Sequence, residues 1–355
     1  MRHDMARIVR AAQIALMTAV MAISWAGGLH AAPSASEWSA WKSAFLMPSG
    51  RVVDTGNGGI SHSEGQGYGM LLAVEMDDQA AFDAIWTFAD EVLRAETDPL
   101  MAWRYDPRRA DPVADPNNAS DGDLLAAYAL FRAYRAWGVA DYRTEARAIA
   151  RALSDATLVS WDGVTYFMPA RTGFSREDRA DGPVINLSYY IFEAFAVMDY
   201  LDPGSGWDAQ ARRGRALIAR SLGSGGLPAD WLSVPRGLSP ASGFEPVFGY
   251  NNLRLPLYLA RGGLEPRTRS VMARLAERIG DREGRLTIVD TTTGQVRERL
   301  DEPGYRAIVA LAACLGKTEP FPESARRFET TSYYAATLHL LTLGHVREAH
   351  PECLR

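Results

Sequence analysis

Two short stretches place carboxylates where chemistry could be done. The first is Gly59-Ile60-Ser61-His62-Ser63-Glu64-Gly65-Gln66-Gly67-Tyr68-Gly69-Met70. It sets one acid, Glu64, among glycines that let another molecule come close to the backbone. The second is Asn117-Asn118-Ala119-Ser120-Asp121-Gly122-Asp123. In each, a serine that can cap a helix precedes an acid that falls in the first turn of an apolar run. Such an acid can serve only to complement the helix dipole. Two of them brought to one face can do more. A glycosidic oxygen is a poor leaving group, so one carboxylic acid must protonate it, and a second carboxylate must activate water or attack the sugar.

Those acids need helices to carry them, and helical periodicity dominates from Ser36 onward. The pattern predicts about twelve helices: Glu37–Phe45, Glu64–Met76, Gln79–Leu93, Asp121–Trp137, Asp141–Leu158, Tyr189–Leu201, Trp207–Leu222, Asn252–Arg261, Pro266–Ile279, Gly304–Leu315, Pro322–Phe328 and Ser332–Leu343. In Asp121–Trp137 the residues Leu124, Tyr128, Phe131, Tyr134 and Trp137 form one apolar stripe at spacings of three and four. Val164–Met168, Leu286–Val289 and Gln295–Arg299 read as short hairpin strands. No strand–helix alternation of a doubly wound sheet is present. Long loops rich in Gly, Pro, Asn and Trp (Pro99–Asn118, Gly163–Leu187, Gly223–Tyr250) alternate with short turns such as Met76–Asp78 and Gly138–Ala140. That inequality predicts an antiparallel helical barrel whose long loops build a working face at one end.

The loops offer flat apolar faces beside polar donors: Trp103, Tyr105 and Asp106; Asn186 and Tyr189; Asp230 and Trp231; Tyr250, Asn251 and Arg254. Sugars present the same mixture, apolar ring faces and hydroxyl rims. The 355 residues carry 9 Trp, 14 Tyr and 12 Phe, and a net charge of −5 that argues against nucleic acid as the main partner. The N-terminus reads as a signal peptide, residues 1–32. Arg2, Arg7 and Arg10 precede the apolar run Ala11–Ile23, and Leu29-His30-Ala31-Ala32 suits cleavage. An uncleaved anchor is the competing reading, although the run is short for a span. Residues 33–355 then form one exported domain, periplasmic or secreted, with no membrane span once the signal is removed. Cys314 and Cys353 could pair in an oxidising compartment; their proximity cannot be read from spacing. His62 has no partner His or Cys at ligand spacing, so neither metal nor organic cofactor is expected.

The motifs resemble glycoside hydrolase family 8, in particular the endoglucanases encoded with bacterial cellulose synthases. Ser63-Glu64-Gly65-Gln66-Gly67-Tyr68-Gly69-Met70 is similar to that family's proton-donor motif. Ala119-Ser120-Asp121-Gly122-Asp123, with Ala127 and Trp137, is similar to its second signature, departing at Ala126. Asp106, Asn186 with Tyr189, and Tyr250 to Arg254 add to the likeness, which runs from Trp38 to Leu343. The resemblance implies an all-α (α/α)6 barrel with a few short β-hairpins. It also implies inversion at the anomeric carbon, and a linear β-glucan as substrate. It extends to a cellulose synthase complex as a partner. Glu64 would be the general acid, Asp121 a carboxylate in the central subsite, and Tyr250 and Arg254 would flank the attacking water. A general acid must hold its proton near neutrality, whereas a helix N-terminus favours the ionised form, so Glu64 needs burial or a negative neighbour such as Asp121.

One departure matters. Many family members have Asp after that Tyr as catalytic base; here the residue is Asn251, which can orient water but not accept its proton as a carboxylate does. Glu245 on the same loop, Asp181 and Asp121 are the candidate bases. The same fold acting on chitosan or xylan, or a barrel that binds glucan without cleaving it, remains open on the sequence.

Overall fold

The computed structural model describes residues 33–223 and 225–355; the segment read as a signal peptide lies outside them. The helices are α1 (Ala35–Phe45), α2 (Ser63–Glu75), α3 (Gln79–Phe88, extended by a π turn to Leu93), α4 (Ser120–Trp137), α5 (Ala140–Thr157), α6 (Phe192–Leu201), α7 (Trp207–Gly223), α8 (Leu255–Arg261), α9 (Pro266–Ala276), α10 (Pro303–Lys317), α11 (Glu323–Arg326) and α12 (Tyr333–Ala349). Even-numbered helices pack successively, α2 on α4, α4 on α6, α6 on α8, α8 on α10 and α10 on α12. The ring closes where Tyr333 of α12 comes against Gly65 of α2. Odd-numbered helices lie outside; α3, α5, α7, α9 and α11 each follow the inner helix before them by a short turn, and α1 packs on α12. The result is an (α/α)6 barrel, as the family resemblance implied.

Burial explains the two rings. Inner α2 has every residue from Gly65 to Val74 buried, so it is apolar on all sides. Outer α5 buries only a stripe, Tyr142, Ala146, Ile149, Ala150, Leu153 and Thr157, and turns Arg147 and Arg151 to solvent. The single stripe expected on α4 understates its burial. Leu124 to Phe131 are all buried, because Ala126, Ala127 and Ala129 form a second, small-residue face against a neighbouring helix. Tyr189–Leu201 and Asn252–Arg261 are not continuous helices: a 3-10 turn (Leu187–Tyr189, Asn252–Arg254) precedes α6 and α8.

Chain direction then places the loops. Every inner helix starts at the same end of the barrel, reached by a connection of up to 34 residues (158–191), whereas turns of a few residues (76–78, 138–139) close the other end. Short strands stiffen the long connections. β1 (Ser61–His62) pairs with β2 (Arg104–Tyr105), and the hairpin β3 (Leu158–Trp161)–β4 (Val164–Phe167) stands alone. β5 (Val184–Ile185), β6 (Leu232–Ser233) and β7 (Ser239–Pro240) make one antiparallel sheet. β8 (Val247–Phe248) joins the hairpin β9 (Leu286–Asp290)–β10 (Val296–Leu300) in another. At the closed end, where α10 finishes, Cys314 is disulfide-bonded to Cys353, with a Cα–Cα separation of 5.8 Å. The bond ties the C-terminal turn (Pro351–Leu354) to the barrel.

Candidate active site

The six inner-helix starts surround a cavity of about 680 Å³. Its wall takes Glu64 from α2, Asp121 from α4, Tyr189 before α6, Arg254 before α8, Tyr305 from α10 and Tyr334 from α12. A helix N-terminus carries partial positive charge and unpaired N–H groups. Six of them aimed at one space make a polar floor inside an otherwise apolar barrel.

The first two helices approach unusually closely, and two glycines allow it. A Cβ on Gly122 would lie 2.2 Å from Ser63 Oγ and 2.7 Å from the Glu64 nitrogen; one on Gly67 would lie 2.6 Å from Leu125 Cβ. This contact accounts for glycine between Asp121 and Asp123. It also corrects the expected caps. Ser63 and Ser120 are not N-caps but the first helical residues; the capping positions are His62 and Ala119, without side-chain caps. Ser120 Oγ instead donates to the Met168 carbonyl at 2.8 Å, anchoring α4 to the end of β4. Gln66 braces α2 from below: its Oε1 accepts from the Val52 nitrogen at 2.7 Å, and its Nε2 faces the Gly50 and Ile85 carbonyls at 3.1 Å.

Arg254 joins the two acids. Its buried guanidinium contacts Glu64 Oε1 through Nη1, and Nη2 donates to Asp121 Oδ2 at 2.8 Å. Nη2 also donates to Ser188 Oγ at 3.1 Å and Nη1 to the Tyr68 hydroxyl at 3.4 Å. Tyr68 is in turn hydrogen-bonded to Tyr258. One cation facing two carboxylates leaves one net negative charge when both are ionised, and a single bound proton cancels it. Burial pushes the Asp121 carboxyl up to about 7. Desolvation outweighs its hydrogen bond from the Gly122 nitrogen, and Arg254's charge is shared with Glu64. Asp123, equally buried, is also pushed up to about 7, and accepts from the Met101 nitrogen and Asn118 Nδ2 at 2.8 and 2.9 Å. It fastens the loop carrying Trp103. His62 Nε2 lies 3.0 Å from Asp54 Oδ2, and its Nδ1 lies 4.0 Å from Glu64 Oε2.

Several residues singled out from the sequence do reach the cavity: Glu64, Asp121, Trp103, Tyr189, Tyr250, Asn251 and Arg254. Others do not. Glu245 is solvent-exposed and paired with Arg297 at 2.5 Å on the outer side of its loop. Asp181 is held by Arg179 at 2.8 Å and accepts from the Ser242 nitrogen. Asp106 is buried beneath Arg108 and Arg104; the Arg108 hydrogen bonds above all, with the Arg104 charge, hold it well below the usual carboxylate range. Tyr105 packs edge-on against Phe88. Trp231 stacks on Phe174 and Phe244, which also stack on each other, and meets Tyr189 edge to face. Asn186 caps a 3-10 turn, accepting from the nitrogen and hydroxyl of Ser188, and so fixes the hydroxyl that meets Arg254. Their polar or aromatic character suggested ligand contact; tertiary packing used it for loop support. The sequence reading missed Asp54, Glu302, Tyr305 and Tyr334, all on the wall. Only the first turns of the last two inner helices could have pointed to three of them, and those turns lack a dense glycine motif.

A family model described as glycosyl hydrolases family 8 matches residues 1–346. An endoglucanase of Cellulomonas uda is 38% identical over 226 residues, covering 63% of this chain and 62% of that protein. A probable endoglucanase of Novacetimonas hansenii is 37% identical over 312 residues, covering 86% and 89%. Among solved structures, the endo-β-1,4-glucanase of Acetobacter xylinum is 35% identical with a TM-score of 0.75, covering 88% of this chain and 97% of that one. A family 8 endo-β-1,4-glucanase from an Achatina fulica gut metagenomic library is 33% identical, with a TM-score of 0.76 and coverage of 86% and 95%. The barrel, its two acids on one arginine, and these likenesses agree: the chain belongs to glycosyl hydrolases family 8 and is a glycoside hydrolase.

Proposed function

We propose that the protein is an exported, inverting endo-β-1,4-glucanase acting on cellulose or a soluble cellulose-like chain, with a role beside bacterial cellulose synthesis. The observation that carries the hydrolytic part is Arg254 bridging Glu64 and Asp121 at the floor of an open cavity. The one proton that neutralises this trio belongs to Asp121 and Glu64 as a pair, and Glu64 is the member that hands it to the departing oxygen, leaving Asp121 ionised. Asp121 has its second oxygen occupied by the Gly122 nitrogen, so it holds charge and centres the distorted sugar rather than attacking it. Trp103, Tyr189, Tyr250, Tyr305 and Tyr334 supply aromatic surface along the cavity, suited to an uncharged linear polymer. Export, the periplasmic or secreted location and the synthase partner rest on the N-terminal sequence and the family resemblance. Among the described residues no helix is long and apolar enough to cross a membrane.

A second polymer has an observation in its favour. Asp54 and Glu302 add two acids to the wall, and chitosan would meet acids with its ammonium groups. The experiment is reducing-sugar release by the purified protein from carboxymethylcellulose, lichenan, xylan and chitosan, with proton NMR of the first-formed anomer. Cleavage of the two glucans with an α-anomer formed first supports the proposal. Chitosan as the preferred substrate overturns the glucan assignment. Binding of cello-oligosaccharides with no cleavage of any polymer overturns hydrolysis.

A further inference from the structure

Asn251 stands where the water-activating carboxylate is expected, and its side chain touches a carboxylate that nothing above has used. Asn251 Nδ2 donates to Asp230 Oδ2 at 3.3 Å. Asp230 is only 5% exposed, and no ion pair to it occurs among the described residues. A buried acid without a cation is costly unless other groups hold it. Here the backbone does so. The nitrogens of Gly249 and Asn252 donate to Oδ1 at 2.9 and 3.1 Å, and that of Asn251 to Oδ2 at 3.3 Å. The arrangement is a close fit: a Cβ on residue 249 would lie 2.7 Å from Asp230 Oδ2. Asn251 itself lines the cavity beside Tyr250 and Arg254. With its nitrogen committed to Asp230, the amide oxygen is its remaining polar vertex.

We propose that Asn251 and Asp230 together act as the general base, with Asn251 passing the proton of the attacking water to Asp230. This rests on the glucanase reading. Water oxygen forms the new bond to the anomeric carbon as the glycosidic C–O bond breaks and Glu64 protonates the leaving oxygen. One water proton moves to Asn251 Oδ1, and one Nδ2 proton moves to Asp230 Oδ2, leaving Asn251 as its imidic acid. The amide returns when Asp230 gives its proton back to Nδ2 and Oδ1 releases one to solvent, while Glu64 takes one up. Burial pushes the Asp230 carboxyl above its ordinary range, which makes it the better proton acceptor. Burial first, then the charges of Asp121 and, less, Asp230, push the Tyr189 hydroxyl up. Among the described residues Asn251's side chain is hydrogen-bonded to Asp230 and to none of the wall carboxylates. Both Glu302 oxygens take hydrogen bonds from Ser332, and Asp54 takes them from His62 and Gly56.

The test exchanges the pair. Asp230→Asn lowers kcat on carboxymethylcellulose about 10²- to 10⁴-fold, the range for loss of a general base, with cello-oligosaccharide affinity retained. The double variant Asp230→Asn/Asn251→Asp puts the carboxylate directly at the cavity, keeps one negative charge, and recovers most of the activity. A purely structural Asp230 would leave the double variant no better than the single. Should Asp230→Asn fail to fold, Asn251→Gly carries the test: kcat falls and added formate restores it. Wild-type kcat in a folded Asp230→Asn or Asn251→Gly protein overturns the proposal, as does a swap without recovery. If the wild type cleaves no glucan, it is the glucanase reading that fails.

Discussion

Replacing Glu64 by Gln removes one transferable proton and almost nothing else. Gln keeps the side chain's length and volume. Arg254, freed from Glu64, retains Asp121 at 2.8 Å, Ser188 at 3.1 Å and Tyr68 at 3.4 Å. No buried charge is stranded, so stability changes by less than about 1 kcal/mol. The catalytic cost is of another size. Loss of a positioned general acid costs about 10²- to 10⁴-fold, or about 3–5 kcal/mol of barrier. That cost depends on the leaving group. A cellulose chain departs as a sugar alkoxide and needs the proton, whereas a dinitrophenolate is stable without it. The assay compares kcat of wild type and Glu64→Gln on carboxymethylcellulose and on dinitrophenyl β-cellobioside, with a urea titration of each. The expected result is a loss near 10³-fold on the polymer, a much smaller loss on the aryl glycoside, and coincident unfolding midpoints. Equal losses on both substrates would refute the acid role, because then Glu64 would act by holding the sugar rather than by protonating it.

Asp121 and Asp123 should make stability fall with rising pH. Each is raised in the folded state from an ordinary 3.8 to about 7, so the folded protein binds the extra protons. The resulting stability is complete below pH 4 and lost as pH climbs through 7. Asp121→Asn should therefore lose about half of the pair's contribution between pH 5 and pH 8 in urea titrations; an unchanged difference from wild type across that range would show that Asp121 is not held protonated. The disulfide spans 39 residues, and its removal by Cys314→Ser/Cys353→Ser should cost about 3–4 kcal/mol of unfolding free energy. Because it sits at the closed end of the barrel, kcat should stay within about twofold, and a large loss of turnover in the folded variant would contradict that separation.

The amino-acid sequence by itself determined the helices, their approximate limits and the two places where acids open a helix. Local periodicity and backbone-permissive glycines are short-range properties, so they survive without a fold. It also marked the long and short connections, and from their alternation the working end of the barrel. What tertiary structure alone decided is which polar residues face the cavity. Trp103 and Trp231 look alike in sequence, each an aromatic in a polar loop, yet one lines the wall and the other packs in an aromatic cluster with Phe174 and Phe244. Glu245 was the acid nearest Asn251 in the chain, yet Arg297 of β10 holds it outward. Asp230, 21 residues before Asn251, is the carboxylate that touches it. Side-chain direction in a loop is set by contacts among segments distant in the chain. Here those contacts are a helix crossing at Gly122, a loop folded over Asp230 at Gly249 and one guanidinium shared by two acids, none of which local spacing encodes.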